Sequence, residues 1–153
     1  MPDDYESDNR SLTSYVTFRL ARTQNKLNAQ ANHLLKVHCG LSLVEWRIIQ
    51  LLRHLNGASM TKLAQEVQMD KGQLSRKIKM MINKGLLSAT QDENDHRRQS
   101  LQLTQSSRRI LKKMLPVMRK RQDGLVEGID KDRLTDFFDV LEQIDSAASE
   151  RDF

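Results

Sequence analysis

The chain has almost nothing with which to staple itself together. One cysteine, Cys39, among 153 residues excludes an internal disulfide framework and agrees with a reducing compartment. Long hydrophobic runs are missing as well. Uncharged apolar stretches last only a few residues, against the roughly 20 needed to cross a bilayer, so a soluble protein with no membrane partner is expected. The opening MPDDYESDNR is acidic and shows neither a basic start nor an apolar h-region, so no secretory signal is visible and a cytoplasmic location is expected. The parts of common enzymes are also lacking: there is no GxSxG, no Walker loop and no HExxH, and only four scattered histidines. The expectation is a protein that is not an enzyme and needs no cofactor. Repeats and low-complexity linkers are absent, and the length suits a single domain, residues 1–153, around one core.

What the chain does have is charge, unevenly spread. Residues 71–84 carry Lys71, Arg76, Lys77, Lys79 and Lys84 with no acid, and residues 97–121 carry nine Lys or Arg with no acid. From residue 122 onward ten acids face three bases, and the first ten residues hold four acids against Arg10. A basic middle between acidic ends favours a polyanion, nucleic acid being the commonest, although solvated helix faces also collect charge and a membrane surface or an acidic protein would suit the same pattern.

Apolar spacing organises the rest. From Ser11 to about Val37, Leu12, Tyr15, Val16, Leu20, Leu27, Ala31, Leu34 and Leu35 recur mostly at three- and four-residue steps, which predicts one long helix closed at Gly40. Ser42 precedes Glu45 at capping-box spacing and opens a second helix with Val44, Ile48, Leu51, Leu52 and Leu55 inward, ended by Asn56 and Gly57. A short third helix in TKLAQEVQ turns Leu63, Ala64 and Val67 inward, and after a tight connection through Met69, Asp70 caps a fourth to about Asn83 with Leu74, Ile78 and Met81 buried. The two form a helix-turn-helix candidate. GLLSATQ and RQSLQLT then flank the turn DENDHR as an antiparallel hairpin, with Leu101 and Leu103 on its packed face. Thr104 is a plausible N-cap for a helix with Ile110, Leu111, Met114, Leu115 and Met118, which Pro116 should kink. A last helix from about Asp130 to Ala148 uses Leu134, Phe137, Phe138, Leu141 and Ile144. The fold class is therefore mainly α with a small β-hairpin.

A helix fits the major groove of DNA, roughly 12 Å wide, and reads base edges with residues near its N-terminus. On the fourth helix Gln73, Ser75, Arg76 and Lys79 lie off the apolar stripe, and Lys71 stands at its start. Gln pairs with adenine and Arg with guanine through two parallel hydrogen bonds, whereas Ser75 and Lys79 suit phosphates. The hairpin turn projects Arg97, with Asp95 two residues away to orient the guanidinium or simply to form the turn, and Arg98 suits a phosphate.

The order of elements resembles the MarR family of bacterial transcriptional regulators, winged helix-turn-helix homodimers. LSLVEWRIIQLL is similar to that family's second helix and MTKLAQEVQMDKGQLSRKIKMMINKGLL to its helix-turn-helix, and DHRRQSLQLT fits its wing pattern DxRxxxLxLT through Asp95, Arg97, Leu101, Leu103 and Thr104. The resemblance covers residues 42 to about 115 well; the flanking helices agree in length and character only. It implies a winged helix-turn-helix over 42–104 and a helical dimerisation region from 11–37 and 105–148. Implied partners are double-stranded DNA, a second copy of the chain, and a small aromatic or phenolic anion as effector, for which His33, His38 and Arg47 are candidate contacts. Within the family the wing arginine enters the minor groove, here Arg97, and the dimer most simply represses. Ser88, Ala89 and Thr90 stand where many members carry a basic residue, and Met80 replaces an often charged one.

Two other readings stay open at this stage. One is a nucleoid protein that coats DNA without sequence preference. The other is a redox or metal sensor of the same fold using Cys39, beside His38 and near His33, although there is no CxxC and no further ligand at fixed spacing. Trp46 reads as core packing. No metal site is expected.

Overall fold

The computed structural model describes residues 11–55, 58–91 and 99–150. Among them run a 3₁₀ turn (Leu12–Ser14), α1 (Val16–Cys39), α2 (Leu43–His54), α3 (Met60–Val67), α4 (Lys71–Asn83), strands β1 (Leu87–Gln91) and β2 (Gln99–Leu103), α5 (Gln105–Val126) and α6 (Lys131–Ser149). The chain divides into two compact units, residues 1–114 and 115–153.

Local chemistry sets most of these limits. The helix expected from Ser11 begins only at Val16. Ser14 N–H returns to the Ser11 carbonyl at 2.8 Å and Tyr15 is extended, so the first residues close a tighter turn that three-residue apolar spacing also satisfies. Gly40, at φ 71°, closes α1 in the left-handed conformation as its position predicts. The capping box of α2 is complete: Glu45 N–H donates to Ser42 Oγ at 3.2 Å and Ser42 N–H to Glu45 Oε2 at 2.8 Å. Asn32 on α1 accepts the Leu43 N–H at 2.8 Å, joining the two helices at that corner. Asn56 and Gly57 lie outside the described residues.

The core belongs to the first unit. Ala31 and Leu35 of α1, Trp46, Ile48, Ile49 and Leu52 of α2, Leu63 of α3, and Leu74, Ile78 and Met81 of α4 are buried together with Leu87, Leu101 and Leu103 of the hairpin and Leu111 and Met114 of α5. The register pairs Leu87 with Leu103 and Ala89 with Leu101. α2 is more enclosed than its periodicity suggests, for Leu43, Glu45 and Ile49 are buried as well, while Val44, Leu51 and Leu55 are only half-buried. Trp46, 1% exposed, is a core residue as read from its position.

In the second unit none of the described residues is buried. α5 runs unbroken through Pro116, and Gly128 at φ 76° follows its end. Asp130 Oδ1 then accepts the Asp132 N–H at 2.9 Å to start α6. No helix among the described residues is long and apolar enough to cross a membrane.

Candidate nucleic-acid interface

α4 owes its start to Asp70, whose Oδ1 accepts the Gln73 N–H at 2.9 Å. The connection from α3 is short: Gln68 takes the left-handed conformation at φ 53° and Met69 N–H returns to the Ala64 carbonyl at 3.1 Å. Gly72 sits beneath the cap, where an added Cβ would stand 3.2 Å from Asp70 Oδ1 and crowd it.

With Leu74, Ile78 and Met81 buried, the opposite face of α4 is open. Gln73, Arg76 and Lys79 are exposed on it and Lys71 is exposed at the helix start, whereas Ser75 is half-buried at its flank, less outward than its place off the apolar stripe suggests. Lys77 is half-buried too. The open face and the first residue of α4 together offer one guanidinium, two ammonium groups and one amide without an acid among residues 71–84.

An ion pair between the exposed Lys84 and a buried carboxylate holds the far end of this helix. Glu45, 3% exposed, accepts from Lys84 Nζ at 2.7 Å while its other oxygen keeps the α2 cap. Burial pushes the Glu45 pKa up, but the hydrogen bonds from Lys84 and the Ser42 backbone, with the Lys84 charge, outweigh it and leave the carboxyl below its ordinary value. Glu45 therefore does two jobs, of which its sequence position announces only the capping one.

The base of the hairpin is clamped on one loop. Thr104 Oγ1 donates to the Gly85 carbonyl at 2.7 Å, accepts the Ser107 N–H at 3.3 Å as the N-cap of α5, and lies 3.2 Å from the Leu86 carbonyl. The buried hydroxyl of Ser107 also donates to the Leu86 carbonyl. This gives a structural reason for the threonine that ends the DxRxxxLxLT pattern. Asp95, Arg97 and Arg98 lie outside the described residues.

The candidate effector residues stand on α1 and α2. Arg47 donates to Asn28 Oδ1 at 3.3 Å and borders an open groove of about 400 Å³ with Gln24, Glu66, Val67 and Gln68. His33 and His38 are exposed on α1 and are not part of that lining. Cys39 is half-buried and donates to the Leu35 carbonyl at 3.2 Å. Among the described residues no three His, Cys, Asp or Glu side chains gather as a metal ion would require.

Residues 41–98 match the family model described as the MarR family. No curated protein sequence matches the chain significantly. Solved structures match nearly end to end. A MarR/EmrR family regulator from Acinetobacter sp. ADP1 superimposes with a TM-score of 0.82 at 20% identity, covering 91% of this chain and 98% of that one. The MepR chain of a DNA complex from S. aureus gives 0.81 at 15%, covering 87% and 98%. The MOSR regulator from M. tuberculosis, also solved with DNA, gives 0.70 at 20%, covering 89% and 99%. Residues 41–98 thus resemble MarR-family sequence, in a chain that has the winged-helix fold of the solved regulators it superimposes on.

Proposed function

We propose that this chain is a sequence-specific regulator of transcription that binds double-stranded DNA as a homodimer on a pseudo-palindromic operator. The observation that carries the reading is the open face of α4, where Arg76, Lys79 and Gln73 stand exposed, with Lys71 exposed at its start, on a helix firmly anchored by its buried side and by Glu45. Such a face suits the major groove: Arg76 and Gln73 reach base edges, while Lys71, Lys79 and the hydroxyl of Ser75 hold phosphates. Arg97 at the hairpin turn enters the minor groove, with Asp95 orienting it and Arg98 on the backbone. The MepR and MOSR complexes with DNA support the same use of the fold. Members of the MarR family are transcription regulators, not enzymes.

Residues 42–104 form the DNA-binding region in this reading, and 11–37 with 105–148 the dimerisation region. Exposed Leu12, Tyr15 and Val16 in the first unit and Leu125, Ile129, Phe137, Phe138 and Val140 in the second are apolar surface that a second copy would cover. The dimer acts in the bacterial cytoplasm as a repressor, blocking polymerase, and a small aromatic anion held by Arg47 would release it.

Selection from a random duplex pool with the full-length protein tests this. A symmetric tract should emerge, with half-sites about 10 base pairs apart and a preference of about 10³ over random duplex. Failure to enrich any tract would leave a coating protein. On the selected operator Arg97→Ala should weaken binding by at least about tenfold with the dimer intact, and Arg76→Ala should relax base preference more than it lowers nonspecific binding.

A further inference from the structure

The large hydrophobic side chains that reach solvent fall into two groups. Most lie towards the ends of the chain, at Val37 and before or at Leu125 and after, on the helices assigned above to pairing of two copies. Met80, 49% exposed, is the only one between residues 58 and 104 among the described residues, and it stands on α4. It lies on the face turned away from Leu74, Ile78 and Met81. At 3.6 residues per turn, Gly72, Arg76 and Met80 follow one another at four-residue steps in one slanting row that crosses the crest at Arg76, with Asn83 also on the crest and Lys79 and Met80 on its two shoulders. An apolar side chain therefore stands one turn beyond Arg76 on an otherwise cationic and polar reading surface.

Its direction and its chemistry both matter. Side chains on a helix tilt towards its N-terminus, so Met80 leans over the turn that carries Arg76, towards the end of α4 that reads bases. Gly72 contributes no side chain to the same row, which lets the first turn approach closely. Methionine is unbranched and polarizable, and adapts to small apolar surfaces. The edges of base pairs in the major groove offer one apolar group, the C5 methyl of thymine.

We propose that Met80 packs on the thymine methyl of one base pair in each half-site, adjacent to the base contacted by Arg76, and so makes the chain prefer thymine there. The inference rests on the DNA-binding reading above and adds to it a specific base and a specific side chain.

The test uses the full-length dimer and the operator from random-pool selection, with each thymine replaced in turn, symmetrically, by deoxyuridine. That change removes the methyl group and keeps every hydrogen bond. Burial of one methyl is worth about a fourfold change in affinity, hence about 16-fold for two half-sites. Wild type should show this loss at one symmetric pair of thymines. Met80→Ala should bind the unmodified operator more weakly and no longer distinguish thymine from uracil there, Met80→Gln should behave like it, and Met80→Leu should retain most of the discrimination. Wild type indifferent to every uracil, or Met80→Ala and Met80→Gln as sensitive as wild type, would overturn the proposal while leaving a selected operator, and hence the regulator reading, in place. If selection enriches nothing, both fall together.

Discussion

α2 and α6 are both amphipathic, and their fates differ completely. α2 buries six of its 12 residues, from Leu43 to Leu52, whereas α6 buries none of its 19. Phe137 and Phe138 remain 50% and 54% exposed, and Leu134, Leu141 and Ile144 are only half-buried. The same three- and four-residue spacing of apolar side chains therefore states that a face needs cover without stating what supplies it. For α2 the cover is the rest of the first unit, brought in by the cap at Ser42 and by Asn32. For α6 the chain's own described residues leave the stripe largely open, and a second copy is the proposed cover.

The contrast can be broken at its strongest point first. Trp46→Ala empties a core position and should cost about 3–5 kcal/mol of stability, read as a lower urea midpoint with an unchanged slope. The same truncation at Phe138 should barely touch the stability that the first unit holds by itself. What it should change is association. Phe138→Ser, present twice in a symmetric dimer, should weaken self-association by about 30-fold or more, the size of a loss of about 2 kcal/mol at an interface hot spot. Sedimentation at graded concentrations reads this directly. An unaltered dimer would remove the α6 stripe from the interface, and a collapse of the urea midpoint would place Phe138 in the core instead.

Much of the first unit was legible because local rules and tertiary packing agree there. Capping at Ser42 and Asp70, glycine at position 40, and the buried triplet Leu74, Ile78 and Met81 all appear where their spacing puts them. The hairpin is also as read, and Thr104 does cap α5. Three features escaped. The start of α1 moved from Ser11 to Val16 because a 3₁₀ turn and an α-helix share a three-residue step. Ser107 gave no apolar signal, yet it is fully buried because its hydroxyl serves the Leu86 carbonyl. The partnership of Glu45 with Lys84 spans 39 positions, and no local rule reaches that far. Of the candidate site, Gln73, Arg76 and Lys79 stand on the open face of α4 with Ser75 half-turned from it and Lys71 exposed at its start, while Arg47 borders a groove whose lining does not include His33 or His38.

That long-range pair gives a smaller effect with a definite sign. The folded pKa of Glu45 lies below its ordinary value, so its contribution is complete above the unfolded pKa and disappears as pH falls through the lowered folded one. Glu45→Gln should cost about 1 kcal/mol near neutrality and flatten the acid side of the stability profile. Lys84→Met leaves the burial and removes the opposing cation, so the folded pKa rises and the acid-side loss should shrink. Urea midpoints measured down the acid limb for all three proteins decide it; identical profiles would mean that the pair contributes nothing that titrates.

The smallest effect lies in the turn between α3 and α4. Gln68 is the sole non-glycine residue with positive φ among the described residues, at φ 53° and ψ 48°. For a residue with a Cβ that conformation costs about 1–2 kcal/mol, and the backbone there is held by its N–H to the Ala64 and Gln65 carbonyls, which a substitution at the side chain leaves untouched. Gln68→Gly removes the Cβ conflict but frees the unfolded chain, which returns about half of the gain. The net expectation is a stabilisation of about 0.5 kcal/mol, visible as a slightly higher urea midpoint. Gln68→Ala retains the Cβ and should gain nothing, so a rise in Gln68→Ala equal to that in Gln68→Gly would show that the glutamine side chain, and not the left-handed backbone, is what the turn tolerates at a cost.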